Sequence, residues 1–336
     1  MPIVTCDAIR ASFQQLHESH RVPDSENITQ VLELALEALK EENPLIRPRD
    51  AIRRPGGLVL LNPDITTVLV PDLHARTGYL LTLMNMKIDG IRVLERLLNG
   101  TVQVLCVGDG FHSEARGAER WLRAAEEYQS GYTIHQAIDE EMSEGISLMM
   151  MVMTLKNAFP ERFHFLKGNH ENVANAQSNG NRPFRKYAWE GMMVKEWFWK
   201  FLGPDLLEKW AEFEISLPIL AVGDCFMVSH AEPRRAYTRE RVIEYRSDSN
   251  LIFDFTWTGN NEAEEGSVNR MLEIYLGANS INALYFGGHR PVRDRYQLRA
   301  HGRYVQFHNP AQYNLVVLES GKLPSPDRDI KLLTNN

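Results

Sequence analysis

The chain is poor in cysteine. Cys6, Cys106 and Cys225 are the only three in 336 residues, so they cannot all pair. The last two stand in apolar, strand-like runs, which reads as free thiols in a reducing compartment and excludes a disulfide-built scaffold. Long apolar runs are missing too. None reaches the length that crosses a bilayer, so no membrane partner is expected. The first twenty residues lack the basic start and apolar core of a secretion signal, and the expected location is the cytoplasm. Positive charge is also in short supply: 37 Lys and Arg stand against 44 Asp and Glu, a net charge of −7. Such a surface does not draw in nucleic acid nonspecifically, although a local positive pocket for a small phosphorylated group stays compatible with it.

What is present is an ordinary globular balance, 43% hydrophobic and 24% charged. The length suits two domains or one large α/β unit with an extension. Residues 1–54 read as an N-terminal helical extension. Within it Ile28, Val31, Leu32, Ala35, Leu36 and Leu39 follow helical spacing and predict a packing face against the main body. Pro55-Gly56-Gly57 marks the boundary of the main domain, 55–322. Pro324, Pro326 and several charges predict a solvated C-terminal tail over 323–336.

From residue 58 onward, short β-branched runs alternate with helical stretches, the rhythm of an α/β fold. Thr66–Val70 runs into Asp72-Leu-His74, and Val102–Val107 into Gly108-Asp109. Phe163–Leu166 is followed by Gly168-Asn169-His170-Glu171, Phe226–Val228 by Ser229-His230, and Ala283–Phe286 by Gly288-His289. Five predicted strands thus end beside a possible metal ligand, and in open α/β sheets ligands gather at the carboxyl ends of strands. Asp72 and His74, two apart, leave one face of an extended segment and could grip one cation. Asp109 has two oxygens and could bridge to a second cation, completed by Asn169, His230 and His289. His301 and His308 compete with His289, which is preferred because it follows a strand and a Gly-Gly turn. Two aspartates and a bridging hydroxide against two divalent cations leave about +1, a receptor for a phosphate dianion.

These five motifs together resemble the signature of calcineurin-like metallophosphoesterases. The text PERFHFLKGNHE and the stretch from Tyr187 to Pro233 are most similar to the phosphoprotein (serine/threonine) phosphatase branch. The resemblance covers roughly residues 58–320. It implies a two-sheet β-sandwich flanked by helices, with two metals, manganese, iron or zinc, at the strand ends. It implies hydrolysis of a phosphoester in one step by a hydroxide shared between the metals, with His170 as the general acid. The partner implied is a phosphorylated substrate, a phosphoprotein or a small phosphoester.

The chain departs from the branch in its second motif. The usual Gly-Asp-x-x-Asp-Arg-Gly is here Gly108-Asp109-Gly-Phe-His112-Ser113-Glu114. His112 reads as a phosphate contact, a second acid or a helix-start residue. Arg116 could substitute for the phosphate-clamping arginine, and Arg234 or Arg235, directly after His230-Ala-Glu-Pro, could reach a phosphate bidentately, each balanced against plain surface solvation; Glu114 could orient a histidine. An insert of about 115–145, helical in pattern, follows the Asp109 loop and either shapes substrate choice or is decoration. The function expected is a phosphomonoesterase of serine/threonine phosphatase type. The alternatives are a dinucleoside polyphosphate hydrolase and a catalytically weak scaffold that binds metal or phosphate.

Overall fold

A computed structural model describes residues 5–333; the first four and last three residues of the outer segments expected at 1–54 and 323–336 lie outside the described residues. Two sheets stack face to face. The six-stranded sheet runs Leu58–Leu60, Leu220–Val222, Phe226–Ser229, Leu284–Gly287, Tyr304–Gln306, Gln297–Arg299. The five-stranded sheet runs Ile330–Leu332, Asn314–Leu318, Thr66–Val70, Val102–Cys106, Phe163–Phe165. Thr66–Val70, Val102–Cys106 and Phe163–Phe165 are parallel neighbours, as are Phe226–Ser229 and Leu284–Gly287. Their carboxyl ends therefore point the same way within each sheet.

Strand periodicity sorts the side chains into layers. Val59, Ala221, Val228, Phe286 and Val305 meet Leu69, Leu105 and Val316 between the sheets. The alternate residues Val68, Val70, Val104 and Cys106 face a helical layer instead. That layer includes the helix Ser25–Lys40, whose Ile28, Leu32, Ala35 and Leu39 are buried and whose Asp24 caps its amino end through Asn27 N. On the other outer face, Met227, Tyr285 and Tyr304 pack with Leu251, Phe255 and Met271 from the helices Ser249–Thr256 and Ser267–Leu276. The fold is the two-sheet sandwich flanked by helices that the resemblance implies.

One expectation is corrected. Ile330–Leu332 is not solvated tail but an edge strand, antiparallel to Asn314–Leu318, with Ile330 buried between the sheets. Pro326, taken as a mark of that tail, sits in the first turn of the short helix Pro326–Asp329, where its missing N–H costs nothing. The insert forms two helices, Ala118–Gln129 and Gln136–Ala158. Met149, Met150, Met151 and Met153 lie in the core on the second of them. The first carries Trp121 inward to the site described next.

Beneath the amino-terminal helices lies a buried charged cluster. The Glu42 carboxylate meets Arg47 at 2.6 Å and also receives Lys156, with His164 Nδ1 at 3.7 Å. Arg47 donates its remaining N–H groups to the carbonyls of Gly56 and Ser216. Burial pushes the Glu42 carboxyl up, but Lys156 and Arg47 overcome it and hold the group well below the usual carboxylate range.

Candidate metal centre

Six loops meet at the carboxyl ends of the central strands. Asp72, His74, Asp109, Asn169, His230 and His308 are all buried there, and His289 is half-buried. The ligand atoms fall into overlapping groups: Asp72, His74 and His308; Asp109, His230 and His289; and His74, His112 and His170. Asn169 Oδ1 lies 3.0 Å from His230 Nε2 and 2.8 Å from His289 Nδ1. All six ligand-type residues expected from sequence are therefore brought together, along with His170. His308, a competitor for the place of His289, joins the cluster in addition to it.

The backbone is bent to make this possible. His74, Asp109, His112, Glu114 and His289 all have φ between +43° and +73°. Each such non-glycine residue costs about 1–3 kcal/mol and persists only where its surroundings over-determine it. Gly108 adopts φ +115°, and a Cβ there would stand 2.6 Å from Gly168 N. At Gly288 a Cβ would overlap Asp72 Oδ1 at 1.7 Å, so only glycine lets that turn close over the carboxylate.

Hydrogen bonds lock the loops to one another. The Glu171 carboxylate accepts from Asp109 N, Gly110 N and Gly168 N at 2.9, 2.8 and 2.6 Å, tying two ligand loops to one side chain. His74 N donates to Asp109 O, and His289 N to Asp72 Oδ2. Two imidazoles have their orientation fixed from behind. His230 Nδ1 lies 3.1 Å from Val107 O, and His74 Nδ1 lies 2.9 Å from His112 O. Because a carbonyl only accepts, Nδ1 carries the proton in both, and Nε2 is the atom turned into the cluster.

The electrostatics are those of a place for cations. Asp72 and Asp109 pair with no lysine or arginine among the described residues; histidines alone face them. Burial pushes His230 down, yet Asp109, 3.3 Å away, raises it to about 9, which measures how strongly that carboxylate calls for a positive partner. Asp72 Oδ1, His289 Nε2 and His170 Nδ1 are buried without a hydrogen-bond partner among the described residues. Such orphans are costly unless a ligand satisfies them. The mixed carboxylate, imidazole and amide set suits a borderline divalent metal. Adjacent ligands of an octahedral ion with bonds of about 2.1 Å lie about 3.0 Å apart, which matches the spacing around Asn169. The residues fit divalent cations.

Around His170 the chain uses its own parts. The His170 ring lies 4.9 Å from His112 and 4.7 Å from Phe184, between centroids, and His170 N donates to Asp109 Oδ1. Burial pushes the His170 imidazole down to about 4. His112 stacks on Trp121, 5.0 Å away with planes 15° apart, and its Nε2 faces Glu190 at 3.5 Å. Burial pushes Glu190 up, but His112 and the amides of Tyr187 and Lys186 hold it at about 2. His112 thus backs His170, with an anion behind it, rather than merely starting a helix.

Arg116 does not face the cluster with its charge. It pairs with Glu144 and donates to His74 O. Arg234 has no ion pair among the described residues, and its guanidinium lies 6.0 Å from the Phe253 centroid, in a cavity beyond Phe184. Glu114 is the residue the sequence undervalued most. It lies 3.3 Å from both His74 Nε2 and His308 Nε2 and accepts from Arg76. Burial pushes its carboxyl up, but these partners hold it well below the usual range. His308, weighed in the sequence as a rival to His289, also follows a strand end, two residues past Tyr304–Gln306.

No protein-family model and no curated protein matches the chain. Solved structures do. A protein serine/threonine phosphatase from Saccharomyces cerevisiae superposes with a TM-score of 0.58 at 13% identity, covering 92% of this chain and 90% of that one. A cold-active protein-tyrosine phosphatase from a Shewanella species covers 83% and 82% at 15% identity, with a TM-score of 0.45. At such identity the first match establishes a shared fold, the two-sheet sandwich described above.

Proposed function

We propose that the protein is a metal-dependent phosphoester hydrolase, working as a phosphomonoesterase of serine/threonine phosphatase type. The observation that carries this reading is the convergence of Asp72, His74, Asp109, Asn169, His230 and His289 with orphaned buried ligand atoms. Asp72, His74 and Asp109, with His308 beside them, would hold one cation; Asp109, Asn169, His230 and His289 would hold the other. Bound there, two cations supply a nucleophilic water and neutralise charge on the phosphoryl oxygens.

The chain's own residues do the rest. Glu171 keeps Asp109 and the Gly168 loop in register, so the ligands are set before substrate arrives. His170, fixed by its backbone bond to Asp109 and backed by His112, is the acid in this reading: burial keeps its imidazole neutral in the free protein, and a phosphate dianion entering beside it would raise it enough to carry the proton for the leaving oxygen. Phe184 covers one face of that imidazole and keeps bulk water off it.

The test is direct. Protein reconstituted separately with manganese, iron or zinc is assayed on an aryl phosphate, a phosphoserine peptide and diadenosine tetraphosphate. Metal-dependent release of inorganic phosphate from the monoesters is expected. Full metal occupancy without turnover of any of the three would leave a binding scaffold instead.

A further inference from the structure

A cavity of about 960 Å³ opens beside the metal centre, with Phe184 as the wall common to both. Four arginines line it: Arg182, Arg185, Arg234 and Arg235. Asp254 is the single acid in the lining, and it is spent on Arg235 at 2.8 Å and on the Tyr237 hydroxyl. Three guanidinium groups are left with no ion pair among the described residues. That is a concentrated positive charge on a protein whose net charge is −7. Like charges crowded into a concave site repel, and the arrangement is stable in use only if an anion enters.

The cavity is built as well as charged. Arg182 stands over the Phe253 ring, its guanidinium carbon 4.2 Å from the centroid, a contact that steadies the fork. Arg234 approaches the same ring from the segment that follows His230, its N–H bonded to Asp254 O. Asn175 Oδ1 is buried at the lining without a hydrogen-bond partner among the described residues. A planar fork matches phosphate two N–H groups at a time, and the volume has room for a phosphate together with the group that carries it.

Building on the proposed hydrolase, we infer that this cavity binds a second phosphate of the substrate, so that the enzyme selects phosphoesters whose leaving group is itself phosphorylated. The cleaved phosphate sits at the cluster; the second sits among Arg182, Arg185 and Arg234. A doubly phosphorylated peptide and a small diphosphate share that chemistry, and the test separates them.

The experiment compares kcat/KM for glycerol 1,3-bisphosphate with that for glycerol 1-phosphate, and for a doubly with a singly phosphorylated serine peptide. The second phosphate should raise kcat/KM about 10–100-fold, the range for new charge-assisted hydrogen bonds, and more for the small molecule than for the peptide. In the double variant Arg182→Gln, Arg185→Gln that ratio should fall towards one, with the thermal midpoint as a check that these exposed positions leave the fold intact. A binding readout stands apart from turnover. Calorimetry with α,ω-alkanediphosphonates of graded length, against the matching monophosphonates, should show a length that binds tighter only when both arginines are present. A protein inert on every ester but showing that arginine-dependent gain would overturn the hydrolase and keep the subsite. Turnover with equal ratios in wild type and variant would overturn the subsite and keep the hydrolase. A larger gain for the peptide would overturn the compact ligand.

Discussion

Two buried clusters of charge lie in this protein, and they are wired in opposite ways. Around Glu42 the chain supplies both signs: Lys156 and Arg47 meet one carboxylate, and further N–H groups of Arg47 end on backbone carbonyls. Around Asp109, the carboxylates of Asp72 and Asp109 pair only with imidazoles among the described residues, ligand atoms are orphaned, and the backbone is held in left-handed conformations at several residues. Charge met by the chain's own opposite charge fastens helices to a sheet. Charge left incomplete at the price of strain marks a place where something else must bind.

The sharpest way to break this contrast is at the bridging position. Asp109→Asn keeps the shape but removes the anionic oxygen shared between the two halves of the cluster. Hydrolysis should fall by more than about 10³-fold, the scale lost with a charge-stabilising group, and bound metal should drop. The fold should hold, because no lysine or arginine depends on Asp109. Near-normal turnover with full metal content would remove Asp109 from the bridge.

That prediction rests on residues legible in the sequence, and the reason is local. A strand buried on both faces writes itself as a short β-branched run, and Asp72, His74, Asp109, Asn169, His230 and His289 all follow such runs directly. The stripe from Ile28 to Leu39 was legible for the same kind of reason, a period sustained over three turns. What could not be read depends on meetings across long separations. Glu114 and His308 touch across 194 positions. Glu190 stands behind His112 only because two loops fold against each other. The Ile330–Leu332 strand is three residues long, too short to show an alternation, and charges and prolines nearby spoke for a tail.

Glu42→Gln probes the other cluster. Leaving Lys156 and Arg47 buried without their anion should cost about 3–5 kcal/mol of stability, read as a lower denaturant midpoint, with metal content unchanged. Its acid dependence follows from sign. Because the Glu42 carboxyl is held below its usual value, its contribution is complete above the ordinary carboxylate range and is lost as pH falls through the folded value. The variant should therefore lose stability less steeply than wild type as pH is lowered below about 5. Parallel acid limbs would show that the pair contributes nothing.

Glu171→Gln is a milder blow to the metal centre. One carboxylate that accepts three backbone N–H groups becomes an amide with a single acceptor, so the Asp109 and Gly168 loops loosen. Metal affinity should weaken about 10–100-fold, as for outer supports of metal ligands, and excess metal should restore the rate. A rate that stays low at saturating metal would give Glu171 a part in the chemistry itself. The smallest effect belongs to the surface. Arg116→Gln breaks a partly exposed pair with Glu144 and a bond to the His74 carbonyl, and should change stability by about 1 kcal/mol.

The central claim is that the incomplete cluster is completed by two cations that make it a catalyst. Metal-stripped protein titrated with manganese, with heat of binding and hydrolysis of an aryl phosphate followed on the same sample, addresses it most directly. The account predicts two equivalents bound per chain, a rate that rises with the second equivalent, and loss of both signals in Asp109→Asn. Hydrolysis that is complete before any metal is added, or two equivalents bound with no hydrolysis at all, would contradict it.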